Sequence, residues 1–101
     1  GKETLDVKKP IVRPASLTGS ACVTGCSGAD ALVMIDIYTA DGTLIASYQT
    51  ARKIGGDGCF DVTVTPGTFG LESKSWPANV MFVLAVNVPQ CGLQDQTSGF
   101  L

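Results

Sequence analysis

None of the 101 positions is a histidine. Without an imidazole, Ser-His and Cys-His nucleophilic pairs and histidine-ligated metal sites are excluded. Charge is also sparse: Asp, Glu, Lys and Arg supply 16% of the residues, where an average soluble domain has about 25%. No long apolar run occurs. The longest, Val80 to Val86, has seven residues, the length of a buried strand and far short of the roughly 20 that a helix needs to span a bilayer. Asn79 and Asn87 lack a hydroxyl residue two places on, so N-glycosylation is not expected. The glycine-rich stretch Gly55-Gly56-Asp57-Gly58 runs into a strand pattern instead of a helix start, which removes a phosphate-cradling loop. An export signal's charged n-region and apolar h-region are absent from these residues.

What remains for catalysis is carboxylate chemistry. Asp36, Asp57 and Asp61 lie on or near neighbouring strand patterns, and a pair of them sharing a site would be the one acid–base device open to this chain. Against that, Asp57 sits in a turn sequence where its side chain bonds the backbone, and Asp36 and Asp61 fall in the outward phase of alternating strands. The chain therefore reads as a non-enzyme with no cofactor. No metal site is expected. The Cys-x3-Cys of Cys22 and Cys26 followed by single cysteines lacks zinc-knuckle spacing, and nothing resembles an EF-hand around Asp41 or Asp57.

What the sequence does contain is apolar and hydroxyl side chains. Hydrophobic residues reach 45% and mean hydropathy is +0.26, so a monomer has little charge with which to solvate itself. Burial against neighbouring subunits, or solvation by ten threonines and seven serines with or without O-linked sugar, accounts for this composition. Four cysteines, Cys22, Cys26, Cys59 and Cys91, in so short a chain favour two disulfides and a secreted or cell-surface location. The chain-entropy argument favours pairing each early cysteine with one of the distant ones, and the sequence leaves the choice of partners open.

The net charge of −2 is unevenly spread. Lys2, Lys8, Lys9 and Arg13 outweigh Glu3 and Asp6, so a positive arm precedes an acidic body. A nucleic-acid surface would need its basic face on the fold itself. The organisation predicted is an extended N-terminal arm over residues 1–15 and a β-sandwich domain over 16–101. In the arm, Leu5 and Val7 alternate with charges, and Pro10 and Pro14 bar it from a central strand. Leu5, Val7, Ile11 and Val12 would fill pockets of another subunit's sheet if the arm acts as an inter-subunit strand, and would pack in cis if it does not.

The body reads as antiparallel strands. Ser16 to Thr24 is the first. In Leu32 to Tyr38, alternation sends Val33, Ile35 and Ile37 to one face and Met34, Asp36 and Tyr38 to the other. Asp41-Gly42 turns the chain into Leu44 to Tyr48, with Gln49 to Ile54 continuing that strand or bulging from it. Cys59 to Val64 alternates with Phe60, Val62 and Val64 inward, and Pro66-Gly67 is a turn followed by a brief strand over Thr68 to Leu71. Asn79 to Val88 is apolar on both faces, so it is either central or covered by a neighbour. The tail from Gly92 is polar. Trp76, on a loop beside a proline, together with Tyr48 is the candidate stacking surface for a glycan.

The residues from Ala31 to Tyr38, then Asp41-Gly42-Thr43-Leu44, Asp57 to Val64 and Pro66-Gly67-Thr68-Phe69, resemble the prealbumin-like sandwiches, including carboxypeptidase regulatory-like and collagen-adhesin B-type domains. The resemblance implies a seven-stranded antiparallel Greek-key sandwich of the Ig-like/prealbumin-like kind, used as stalk, spacer, adhesion or assembly unit. The isopeptide bond of the adhesin branch would have Lys8 or Lys9, Asn87 and Asp36 as its only analogues here, and both lysines precede Pro10. The function expected is that of an extracellular structural protein. It is a homo-oligomer or polymer, the subunit of a fibre or surface layer joined through its arm. A monomeric carbohydrate- or ligand-binding adhesion module is the alternative.

Overall fold

The computed structural model describes residues 2–101 and is an all-β sandwich of two antiparallel sheets. Its strands are β1 (Thr4–Val7), β2 (Ile11–Arg13), β3 (Ser16–Thr24), β4 (Asp30–Thr39), β5 (Leu44–Lys53), β6 (Cys59–Val64), β7 (Val80–Val88) and β8 (Leu93–Phe100). In sheet A, β3 is flanked by β6 on one side and by β1 and β2 in succession on the other. Sheet B has the order β5-β4-β7-β8.

Six of the strands lie in residues 16–101, and the arm, expected to be extended, is itself strand, as β1 and β2. Val7 pairs with Ala21 and Ile11 with Thr18, so four steps along the arm match three along β3. The extra residue is a bulge at Lys8–Pro10, where proline has no N–H to give to the ladder. Residues 4–13 thus form an interrupted edge strand on the chain's own β3. The bulge splits the face of the four arm residues. Val7 is buried and Leu5 packs against the core, whereas Ile11, paired with outward Thr18, is 56% exposed.

One further expectation is corrected. Thr68–Leu71 is not a strand: Pro66–Phe69 makes a 3-10 turn, because Thr65 and Thr68 cap each other reciprocally and Pro66 presets the turn. The polar tail forms β8, an edge strand whose ladder with β7 runs from Leu93–Val88 to Phe100–Met81. Its inward residues, Asp95, Thr97 and Gly99 among them, are half-buried, so it carries none of the β-branched apolar pattern that marks a strand in a sequence.

The core lies between the sheets. Leu17, Ala21, Val62 and Val64 from sheet A meet Val33, Ile35, Phe82, Leu84 and Val86 from sheet B. Each of the larger side chains contributes about 1.5–3 kcal/mol by burial. The alternation read for β4 and β6 holds, with Val33, Ile35, Ile37, Val62 and Val64 buried. The β4–β5 hairpin closes at Thr39–Thr43, where Gly42 takes a φ of 89° that a side chain would strain. A register shift after Ile37 pairs Tyr38 with Leu44 and leaves Ile45 as the extra residue.

The four cysteines form two disulfides, Cys22–Cys59 and Cys26–Cys91. The first joins directly opposed residues of β3 and β6 on the outer face of sheet A. The second ties the β3–β4 connection to the turn after β7, crossing between sheets. At the open edge, the Val7 N–H donates to Asp95 Oδ2 at 3.0 Å, stitching β1 of one sheet to β8 of the other.

Candidate functional site

The three carboxylates considered for acid–base work are placed apart. Asp36 lies on the outer face of sheet B, Asp61 on the outer face of sheet A, and Asp57 in the turn before β6, where its Oδ1 accepts from the Cys59 N–H at 3.1 Å. Among the described residues, no group of three or more Cys, Asp or Glu side chains is arranged to hold a metal. Asp41 is held below the usual carboxylate range by the hydroxyl of Thr39 first, then by the hydroxyl and N–H of Thr43, an arrangement that rigidifies a hairpin turn. The analogues of an isopeptide bond are not assembled. Lys8 pairs with Asp6 beside sheet A, at 2.5 Å, while Asn87 points outward from sheet B.

Trp76 and Tyr48 are joined through Phe69, a residue the sequence reading did not single out. The Trp76 and Phe69 rings meet edge to face at 5.9 Å, and Phe69 meets Tyr48 at 6.1 Å. All three pack against the core cluster. The Trp76 indole N–H donates to the Ser16 carbonyl at 3.2 Å, and its backbone N–H donates to Pro14 at 2.9 Å. The row therefore clamps the 71–79 loop to the β2–β3 corner, and Trp76 lines a depression of about 450 Å3 beside Arg13 and Leu101.

The most distinctive surface is the outer face of sheet B. Burial alternation and register place Leu32, Met34, Asp36 and Tyr38 of β4 on it, next to Met81, Val83 and Ala85 of β7. Ala51, Gln49 and Ser47 of β5 and Gln94, Gln96, Ser98 and Phe100 of β8 complete it. Leu32, Met34 and Phe100 are 40–67% exposed, and Leu44, paired with Tyr38, is 51% exposed. A groove of about 410 Å3 runs between Leu32, Met34, Ala51, Ala85 and Asn87. Charge is confined to the Asp30–Lys53 ion pair at one end, 3.5 Å apart, and to Asp36 near the middle. Asp36 accepts from the Ser47 hydroxyl at 2.6 Å and from the Tyr38 hydroxyl at 3.5 Å.

The outer face of sheet A is its chemical opposite. Ser16, Thr18, Ser20 and Thr24 of β3 stand beside Thr4 and Thr63, with Thr18 and Thr63 sharing a hydrogen bond at 3.1 Å. One side of the brick is hydroxyl-rich and the other apolar. In the sequence, the apolar outer face was legible only as the two-sided character of β7. No protein-family model matches the chain, and comparison with curated proteins and with solved structures finds no match.

Proposed function

We propose that this chain is an extracellular, non-enzymatic structural protein, a disulfide-stapled sandwich that builds a fibre or surface layer from copies of itself. The observation that carries this reading is the outer face of sheet B, where the exposed Leu32, Met34 and Phe100 lie in one sheet face with the half-buried Met81, Val83 and Ala85. Covering it in an assembly would leave the hydroxyl-rich face of sheet A towards solvent. Two disulfides suit an oxidising compartment. The resemblance to stalk and adhesion modules supports the same role.

The contact is assigned to the sheet face in preference to the arm. The arm is held by four register pairs in β1 and three in β2 on its own β3, so it could join copies only by exchanging that edge between neighbours. Light scattering of the oxidised chain at rising concentration tests the reading. The expected result is a mass above that of one chain, reduced to one chain by Met34→Lys with Ala85→Lys while the near-ultraviolet circular dichroism is kept. A chain that stays single at every concentration refutes it.

A further inference from the structure

We propose that two copies pair face to face across the outer surface of sheet B, and that protonation of Asp36 gates the pairing. This rests on the assembly reading above and names both the partner, a second copy, and its control. The size of the surface suits such a partner. Strands of ten, ten, nine and eight residues, at about 3.3 Å per residue and about 4.8 Å between strands, give a face of roughly 600 Å2. Specific interfaces begin near that value, at about 600 Å2 on each partner. The charges suit it too. A two-fold contact must be complementary to itself, and Leu32, Met34, Val83 and Ala85 present no charge to one another.

Asp36 is the exception. It occupies β4, one of the two central strands of sheet B, beside Val83 of β7. A two-fold axis lying between the sheets and burying the whole face runs either along the strands or across them. The offset between the two Asp36 positions along the face is about 5 Å, one strand spacing, for the first axis, and about 10 Å, three residues of rise, for the second, because Asp36 lies just past the middle of Asp30–Thr39. No cation compensates them: the groups facing Asp36 are the Ser47 and Tyr38 hydroxyls, Val83 and Met34, while Lys53 is engaged with Asp30 at the far end. Two ionised carboxylates in a contact that excludes water oppose its formation, and protonation of each, which leaves a neutral side chain there, relieves them.

A two-fold contact closes on itself, so a pair of chains becomes the repeating unit of any larger assembly. Sedimentation of the full oxidised chain between about pH 7 and about pH 4 tests this, because that interval covers ordinary carboxylate titration. The wild type is expected to associate roughly tenfold to hundredfold more tightly at the acid end. Asp36→Asn is expected to pair at neutral pH as tightly as the wild type does in acid, and its Oδ1 keeps the Ser47 bond. Asp61→Asn changes net charge equally but lies on the outer face of sheet A, and is expected to follow the wild type. Association in which Asp36→Asn and Asp61→Asn behave alike overturns the gate and leaves the assembly reading standing. No association at any pH overturns both. A single chain that cosediments with phosphatidylcholine vesicles shows that a lipid surface, not a second copy, covers the face.

Discussion

Gly19 offers a sharp test of how the two sheets are packed. It occupies an inward position of β3, opposite Val62 in sheet A and facing Leu84 of sheet B, which is 2% exposed. A Cβ added at residue 19 would overlap the Cδ1 methyl of Leu84 while sitting 3.6 and 3.9 Å from its Cγ and Cδ2. The clash is with one methyl group, but that methyl has no solvent into which to move. Gly19 is absent from the residues with positive φ, so alanine suits the backbone there and brings about 0.4–1 kcal/mol by restricting the unfolded chain. Overpacking costs about 1–3 kcal/mol. The net expectation for Gly19→Ala is a loss of roughly 0.5–2 kcal/mol. Leu84→Ala alone should cost about 2–5 kcal/mol by opening a cavity. In that background the methyl at 19 meets empty space, so Gly19→Ala changes sign and becomes stabilising. Urea unfolding of the four proteins, disulfides intact, measures the cycle. Effects that add within about 0.5 kcal/mol, or a Gly19→Ala variant at least as stable as the wild type, would refute this account of the sheet contact.

The disulfides close loops of 37 and 65 residues, for which the chain-entropy model gives about 4 kcal/mol each, so replacing either cysteine pair by alanine should lower the urea midpoint severely. Cys59 is exposed on an outer face whereas Cys26 is 7% exposed, and mild reductant followed by alkylation and peptide mapping should find Cys22–Cys59 opened first; the reverse order would contradict the burial difference. Asp41 titrates below the usual carboxylate range because the Thr39 and Thr43 hydroxyls bond its charged form. A depressed folded value stabilises the hairpin above the unfolded carboxylate value and loses that contribution as pH falls through the folded one. An NMR titration should show the Asp41 midpoint rising in Thr39→Val, and no movement would exclude the hydroxyl as its cause.

Alternation of apolar and polar residues determined much of this molecule directly. Val33, Ile35 and Ile37 in β4 and Val62 and Val64 in β6 point inward because a strand has period two and only one face is dry. Asp41-Gly42 marked its hairpin because glycine tolerates the left-handed backbone at that corner. The even cysteine count fitted two bridges, but the partners became known only when β3 and β6 brought Cys22 and Cys59 to the same register position. The polar β8 was invisible for the same kind of reason: it is a strand because β7 offers it a ladder, not because of its own side chains. The arm's place on β3 likewise depends on a free edge that local pattern does not announce.

The candidate site divides along the same line. Composition already indicated too much apolar surface for so little charge, since burial and solvation are set by residue types alone. Which face carries the surplus was decided in three dimensions. Leu32, Met34, Ala51, Ala85 and Phe100 come from four strands, and only the order β5-β4-β7-β8 lays them side by side on one surface with Asp36 among them. Local periodicity tells each strand which of its sides is wet; which strands lie next to one another is fixed by long-range pairing and packing, and that pairing makes a surface out of scattered residues.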